Sequence, residues 1–232
     1  THPRGVGEHP HRGFETMTIV YEGEVSHRDS TGAGGTIGPG DVQWMTAGRG
    51  VLHSEMPEQE SGLLHGFQLW LNLPAAEKMK PAAYRDIQVE DIPFKVLAGG
   101  GKVAVIAGEV AINNDSTVNG VLSELSAEPV MMDVILSNNE KLSLSFNTRY
   151  PALVYVIDGE LVGQDGISKG HMGVFSEGES LALAAGDKGA SMLVLSGKPL
   201  KEPIVQYGPF VMNTREETEQ AITDFRMGRL VQ

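Results

Sequence analysis

Apolar and polar residues alternate in short runs along most of this chain, and Gly, Pro, Asn or Asp breaks each run. That pattern predicts many short β-strands joined by tight turns. The segment "TMTIVYEGEVSHRDS" reads as a hairpin turning at Glu22-Gly23, and "GGTIGPGDVQWMTAG" as a Gly-Pro-Gly-Asp turn followed by a strand. In "LLHGFQLWLNLP", Phe67, Leu69, Leu71 and Leu73 fall on one face and Gln68, Trp70 and Asn72 on the other. "KVAVIAGEVA" and "MMDVILSNNEKLSLSF" resume the strand pattern. The opening "THPRGVGEHP" reads as loop, and the charged, Pro-bracketed "PAAEKMKPAAYRDIQVEDIPF" as the connection between two halves. One helix is predicted, over about 215–227. Thr214 and Glu217 form a capping box, Ala221, Ile222 and Phe225 share a face, and Gly228 ends it. It reads as a packing helix without chemistry.

The two halves repeat. "HPHRGFETMTIVYEGE" (9–24) lies over "SFNTRYPALVYVIDGE" (145–160) without a gap, and "IGPGDVQWM" is matched to "FSEGESLAL". The expected architecture is all-β: an N-terminal barrel or jelly roll over 1–93, and a second over 94–232 that ends in the helix. In this alignment His9 faces Ser145 and His11 faces Asn147, so the second copy lacks both histidines.

Composition narrows the chemistry. Of the 232 residues, 41 % are hydrophobic, enough for real cores, and the net charge is −12. With no cluster of Lys and Arg, direct binding to nucleic acid or an anionic membrane is disfavoured. The chain has no cysteine. A disulfide framework, Cys-ligated zinc and a thiol nucleophile are excluded, and a reducing compartment is fitting. No apolar run reaches the length of a membrane span, and no signal peptide is visible. The expected location is the cytoplasm, with the nucleus added in a eukaryote, and the expected state is a monomer. Thr1 rather than Met leads the chain, which leaves room for a segment upstream.

Two polar pairs carry the candidate chemistry. His9 and His11 stand at i and i+2, as do His53 and Glu55. On a strand each pair shares one face, about 6–7 Å apart at the backbone. Two such pairs on neighbouring strands can converge on one ion or remain polar pairs. Three neutral imidazoles and a carboxylate suit Fe(II), Mn(II), Ni(II) or Zn(II), not calcium, and would leave open positions on an octahedral metal.

The segments "HPHRGFETMTIVYEGEVSHRDSTGAGGTIGPGDVQWMTAGRGVLHSEMP", "GFQLWLNLP" and "GPFVMNTREETEQAITDF" closely resemble the pirin family of the cupin superfamily. The resemblance spans nearly the whole chain. It implies a bicupin: two antiparallel barrels facing each other, with one divalent metal, Fe(II) by preference and Mn, Ni, Zn, Co or Cu as alternatives, in the first barrel only. It assigns the ligands to His9, His11, His53 and Glu55. It also implies that strands preceding the HPH motif help to close the first barrel, and those strands are missing from the eight residues ahead of His9.

Some members resemble quercetin 2,3-dioxygenases. The implied activity is cleavage of a flat phenolic substrate, a flavonol such as quercetin, by O2 with release of carbon monoxide, with Glu55 as ligand and catalytic base. The alternative is a metal- or redox-responsive regulator of the transcription co-regulator type, acting through protein partners, which an acidic surface suits better than DNA. Glu15 is a candidate partner for a ligating histidine or a solvated strand residue. Gln68 and Trp70 are candidates for the pocket wall or the core, and Arg49 for the pocket mouth or the surface. His27, His65 and His171 have no partner at ligand spacing and read as structural or exposed, and His2 lies in the loose start. Gly38, Gly40, Gly48 and Gly50 are expected to serve turns with positive φ.

Overall fold

The structure is a computed structural model that describes residues 5–58, 61–163 and 166–231. It is almost entirely β and divides into two compact units. One comprises 1–89 with 200–232, and the other 90–199.

The first unit carries β1 (Val6–His11), β2 (Phe14–Glu22), β3 (Val25–Asp29), β4 (Gly34–Ile37), β5 (Val42–Thr46), β6 (Val51–Pro57), β7 (His65–Asn72) and β8 (Ala83–Ile87). They form two four-stranded antiparallel sheets, in the orders β1-β6-β3-β4 and β7-β2-β5-β8. The opening residues expected as loop therefore include a strand from Val6 onward. The predicted hairpin at Glu22-Gly23 is not one. Both flanking segments are strands, but β2 pairs with β5 and β7 while β3 pairs with β4 and β6. Gly23, with φ of 85°, turns the chain from one sheet of the barrel into the other. Local alternation cannot distinguish that corner from a hairpin, because both need a tight turn between two strands. The segment read as a connection supplies β8, which pairs with β5 and completes the second sheet.

The second unit carries β9 (Phe94–Val96), β10 (Lys102–Ala107), β11 (Glu109–Ile112), β12 (Ser116–Asn119), β13 (Val130–Leu136), β14 (Lys141–Ser145), β15 (Ala152–Leu161), β16 (Ile167–Ser168), β17 (Met172–Phe175) and β18 (Leu181–Ser196). The strand order is β12-β11-β14-β18-β13-β10-β9, with β15 against β16, β17 and β18. Its interior is a large cluster of aliphatic side chains, among them Val103, Leu142, Leu144, Val154, Leu183 and Val194.

After residue 199 the chain returns to the first unit through β19 (Val205–Tyr207), β20 (Phe210–Met212) and helix α1 (Arg215–Arg226). The sequence pattern carried the second unit on to residue 232. The structure groups 200–232 with the first because Phe210, Ala221 and Leu230 pack together with Leu52, and the buried Arg12 pairs with Asp224 of α1 at 2.9 Å. The capping box at Thr214 and Glu217 is formed as expected. No described helix is long and apolar enough to cross a membrane.

The repeat is real, but its second half needs a gap. β2 lies between β5 and β7, and β15 lies between β17 and the end of β18. The amide of Gly40 donates to the Val20 carbonyl at 2.8 Å, and that of Gly170 to the Val156 carbonyl at 2.8 Å. Both glycines have positive φ, 88° and 77°. "IGPGDVQWM" is therefore matched by "ISKGHMGVF" (167–175), not by "FSEGESLAL".

Candidate metal centre

Three of the four predicted ligands meet. His9 and His53 are directly opposed across β1 and β6, so their side chains leave the same face of the sheet, and His11 lies two residues further along that face. The Nε2 atom of His9 is 3.0 Å from that of His11 and 2.9 Å from that of His53. Candidate donor atoms of all three rings lie within 4.8 Å of one another. Nδ1 of His9 is hydrogen-bonded to the Gly7 carbonyl at 2.8 Å. That bond holds the ring in the tautomer that leaves Nε2 with its lone pair. His11 and His53 are buried and His9 is half-buried.

Electrostatics favours neutral rings at two of these positions. Burial, reinforced by the neighbouring His9, pushes His11 down to about 4, and the Pro209 carbonyl offsets only part of this. Burial followed by the three other nearby histidines, His11 first, pushes His53 down to about 3. Imidazoles that resist protonation at neutral pH are suited to binding a cation.

Glu55 is close to this group but outside it. Its Oε1 accepts a hydrogen bond from Gln68 Nε2 at 2.6 Å. Its carboxyl is raised above the usual range by burial, while His9 and the Gln68 bond work in the opposite direction. Trp70 packs edge-on against His11, with ring centroids 5.4 Å apart, and stacks on Phe14 at 4.3 Å. Gln68 and Trp70 thus belong to the site wall rather than to a sealed core. Beside Glu55 lies a cavity of about 280 Å³, lined by Val6, Val20, Val25, Leu64, Phe67 and Gln68 among others.

The other candidates fall elsewhere. Glu15 is neither a histidine partner nor solvated: it is buried, paired with Lys80 at 3.0 Å and hydrogen-bonded by Thr46 at 2.9 Å. Arg49 is exposed. His27 is structural, as expected. It is buried against Gln43, with Asp86 at 3.7 Å and the Tyr84 ring at 4.6 Å. His65 packs among Tyr21 and Phe67, His171 is exposed, and His2 lies outside the described residues. Gly40, Gly48 and Gly50 have positive φ and Gly38 does not. Lys78 is not singled out by the sequence. It is buried, and Nζ donates to Asn72 Oδ1 and to the Gly13 and Val211 carbonyls at 2.6–2.8 Å. Its only signal is its place in the charged 74–94 segment, and the pattern of that segment suggests solvent.

The second unit has nothing equivalent among the described residues. In β14 and β18, Leu144 is paired with Leu181, where β1 and β6 pair His9 with His53. Val25 pairs with Ile37 and Pro57 as Leu161 pairs with Ile167 and Ala185, so Ala185 stands for Pro57, and Leu144, Leu181 and Leu183 take the places of His9, His53 and Glu55. Ser145 and Asn147 are not the counterparts, because the loop after β14 is longer than that after β1.

Comparison with known proteins places the chain among characterised folds. The family models Pirin and Pirin C-terminal cupin domain match residues 2–71 and 131–231. A Pseudomonas aeruginosa protein that carries the provisional name quercetin 2,3-dioxygenase is 46% identical, over 97% of this chain and 80% of its own length. The crystal structure of a quercetin 2,3-dioxygenase from Acinetobacter baumannii superposes with a TM-score of 0.90 at 42% identity, covering 98% of this chain and 80% of that one. The structure of the Escherichia coli bacterial pirin YhhW in complex with nickel(II) shares the fold, with a TM-score of 0.66 at 21% identity over 84% and 77% of the two chains.

Proposed function

The chain belongs to the pirin family, and from that premise we propose that its first barrel is a mononuclear metal centre that uses O2 to cleave flat phenolic substrates such as quercetin. The observation that carries this reading is the meeting of three buried or half-buried imidazoles beside one carboxylate and an apolar cavity. A divalent transition metal held by His9, His11 and His53, with Glu55 completing the set, would polarise a substrate oxygen and template the two reactants. Fe(II) is the preferred ion, and the same donors accept Mn, Ni, Zn, Co or Cu.

The chain's own groups account for the remaining requirements. Val6, Val20, Val25, Leu64 and Phe67 offer an apolar slot for a planar ring system. Glu55, with its carboxyl raised by burial, is a stronger base than a solvated carboxylate and is placed to accept the substrate's hydroxyl proton. The three histidines cannot take that part while their lone pairs are used on a metal.

The test is the metal-loaded protein mixed with quercetin under air. Loss of the flavonol's visible absorption with stoichiometric carbon monoxide is expected, and Glu55→Gln should lower the rate per bound metal by roughly 10²–10⁴-fold. Bound metal without turnover across a panel of phenols would sink the enzyme reading in favour of a regulator that acts through protein partners.

A further inference from the structure

Two of the three histidines sit on β1, which lies at the edge of its sheet. β6 pairs with β1, and His11 stands opposite Val51 at the end of that ladder. Just past His11, the segment that returns from residue 200 meets the chain. Phe210 forms a parallel bridge with Arg12: the Arg12 amide donates to the Pro209 carbonyl at 3.3 Å, and the Val211 amide to the Arg12 carbonyl at 3.1 Å. The buried Arg12 side chain completes the attachment. Nη1 donates to Asp224 of α1 at 2.9 Å, Nη2 to the Leu230 carbonyl at 3.3 Å, and Nε to the Arg49 carbonyl in the turn before β6. The fit is close. A Cβ on Gly13 would lie 2.1 Å from the Val211 carbonyl oxygen, and one on Gly50 2.2 Å from that of Leu230. One guanidinium thus ties the C-terminal segment to the end of β1, which carries His9 and His11, and to the turn that leads toward His53.

We propose that Arg12 is a positioning residue for the metal centre: by holding 209–230 against the end of β1, it fixes the direction in which His11 leaves the strand. The inference rests on the reading of the first barrel as a metal centre and deepens it, since the C-terminal segment becomes part of the support of that centre. The end of an edge strand opens easily unless something covers it. A ligating imidazole also needs a partner on its second nitrogen to keep one tautomer and one orientation. His9 has that partner within its own strand, the Gly7 carbonyl. Nδ1 of His11 is buried with no hydrogen bond of good geometry, and the neighbour that favours a proton on this ring is the Pro209 carbonyl, which the Arg12 attachment holds in place. The forked donors of a guanidinium let one side chain reach α1 and the Leu230 and Arg49 carbonyls together, which an ammonium on a single stem does not match.

Zinc(II) binding to the full chain supplies the test, with no turnover needed. Arg12→Met and Asp224→Leu should each weaken zinc binding by roughly 10–100-fold. Both should also move the nitrogen NMR resonances of the His11 ring in the zinc-loaded protein, while those of His27 stay. Asp224→Asn, which keeps an acceptor for Nη1, should bind zinc much as the parent does. Ile87→Ala, a buried truncation on β8, separates positioning from stability. It should lower the unfolding midpoint yet leave the zinc affinity of the folded protein and the His11 resonances as they are. Asp224→Leu carries the test if Arg12→Met does not fold. If the two variants bind zinc like the parent with the His11 ring unmoved, or if Ile87→Ala weakens zinc as much as they do, Arg12 only packs, and the inference falls while the metal centre stands. If the parent takes up no zinc, the metal reading falls and takes this inference with it.

Discussion

The interior of the first unit is polar where that of the second is aliphatic. Among the described residues, every buried polar or charged side chain, from His11, Glu15, His27 and Gln43 to His53 and Lys78, lies in the first unit, and the second has none. The same strand pairing sets Leu144 against Leu181 in one and His9 against His53 in the other. Burying a polar group costs stability unless it is hydrogen-bonded, and the first unit meets that demand in part, with networks such as Lys78 on three oxygens and Glu15 on Lys80 and Thr46. The second unit has no such demand and packs as an ordinary core. One copy of a duplicated fold thus keeps a costly interior suited to chemistry, while the other contributes packing.

The largest expected effect follows from making the first unit more like the second. His53→Leu should abolish stoichiometric binding of Fe(II) or Ni(II), a greater loss than the roughly 10–100-fold that removal of outer-shell partners brings. Elemental analysis after gel filtration measures it, with His171→Ala retaining full metal as the control. The reverse exchange, Leu181→His, should destabilise the second unit by about 3–5 kcal/mol, because it buries an imidazole without partners and leaves a packing defect. Denaturant unfolding would show otherwise if the midpoint stayed within error.

Lys78→Met should cost the first unit about 2–3 kcal/mol, since two carbonyls and the Asn72 amide oxygen lose a buried donor. Hydrogen exchange should locate the loosening at β20 and the start of β2, with the second unit unchanged. Acid should also separate the units. In the folded protein His11 and His53 titrate at about 4 and about 3, against 6.5 for an ordinary imidazole. The unfolded chain therefore binds more protons as pH falls from 6.5 toward 4, and stability declines by about 1.4 kcal/mol per pH unit for each ring. Glu55, raised by burial, opposes this with one group against two. Hydrogen exchange on the metal-free protein should show the first unit weakening in that window and the second not. The smallest effect is at the shared turn. Gly170→Ala should cost about 1 kcal/mol from its positive φ alone, because no atom lies within 4 Å of the added carbon, whereas Gly40→Ala also meets Val89 at 2.6 Å and should cost more.

Much of the fold is legible from the chain alone. The strand content, the capped helix, the duplication and the pairing of His9 with His11 and of His53 with Glu55 on common faces all follow from local spacing, because strand and helix periodicities are short-range properties. What local spacing cannot carry is which strand lies beside which. The Glu22-Gly23 turn proved to be a corner between sheets, 83–87 a strand rather than a linker, and 200–232 part of the first unit. A longer loop after β14 was enough to misplace the counterparts of the histidines, since the ungapped match ran straight through it.

The sequence by itself determined the chemistry available: four ligand-type side chains in two i, i+2 pairs, no thiol, and an acidic chain with no basic patch. Only the tertiary structure decided how those side chains are used. It brought residues 9, 11 and 53 to one point and turned Glu55 toward Gln68, thirteen residues further along the chain on a strand of the opposite sheet. It also gave Glu15 a buried ion pair to Lys80 in place of open surroundings. The reason is physical. Strand identity depends on the residues within a strand, whereas the direction of a buried polar side chain depends on the donor or acceptor that the neighbouring strand presents, and that neighbour is chosen by the packing of the whole barrel.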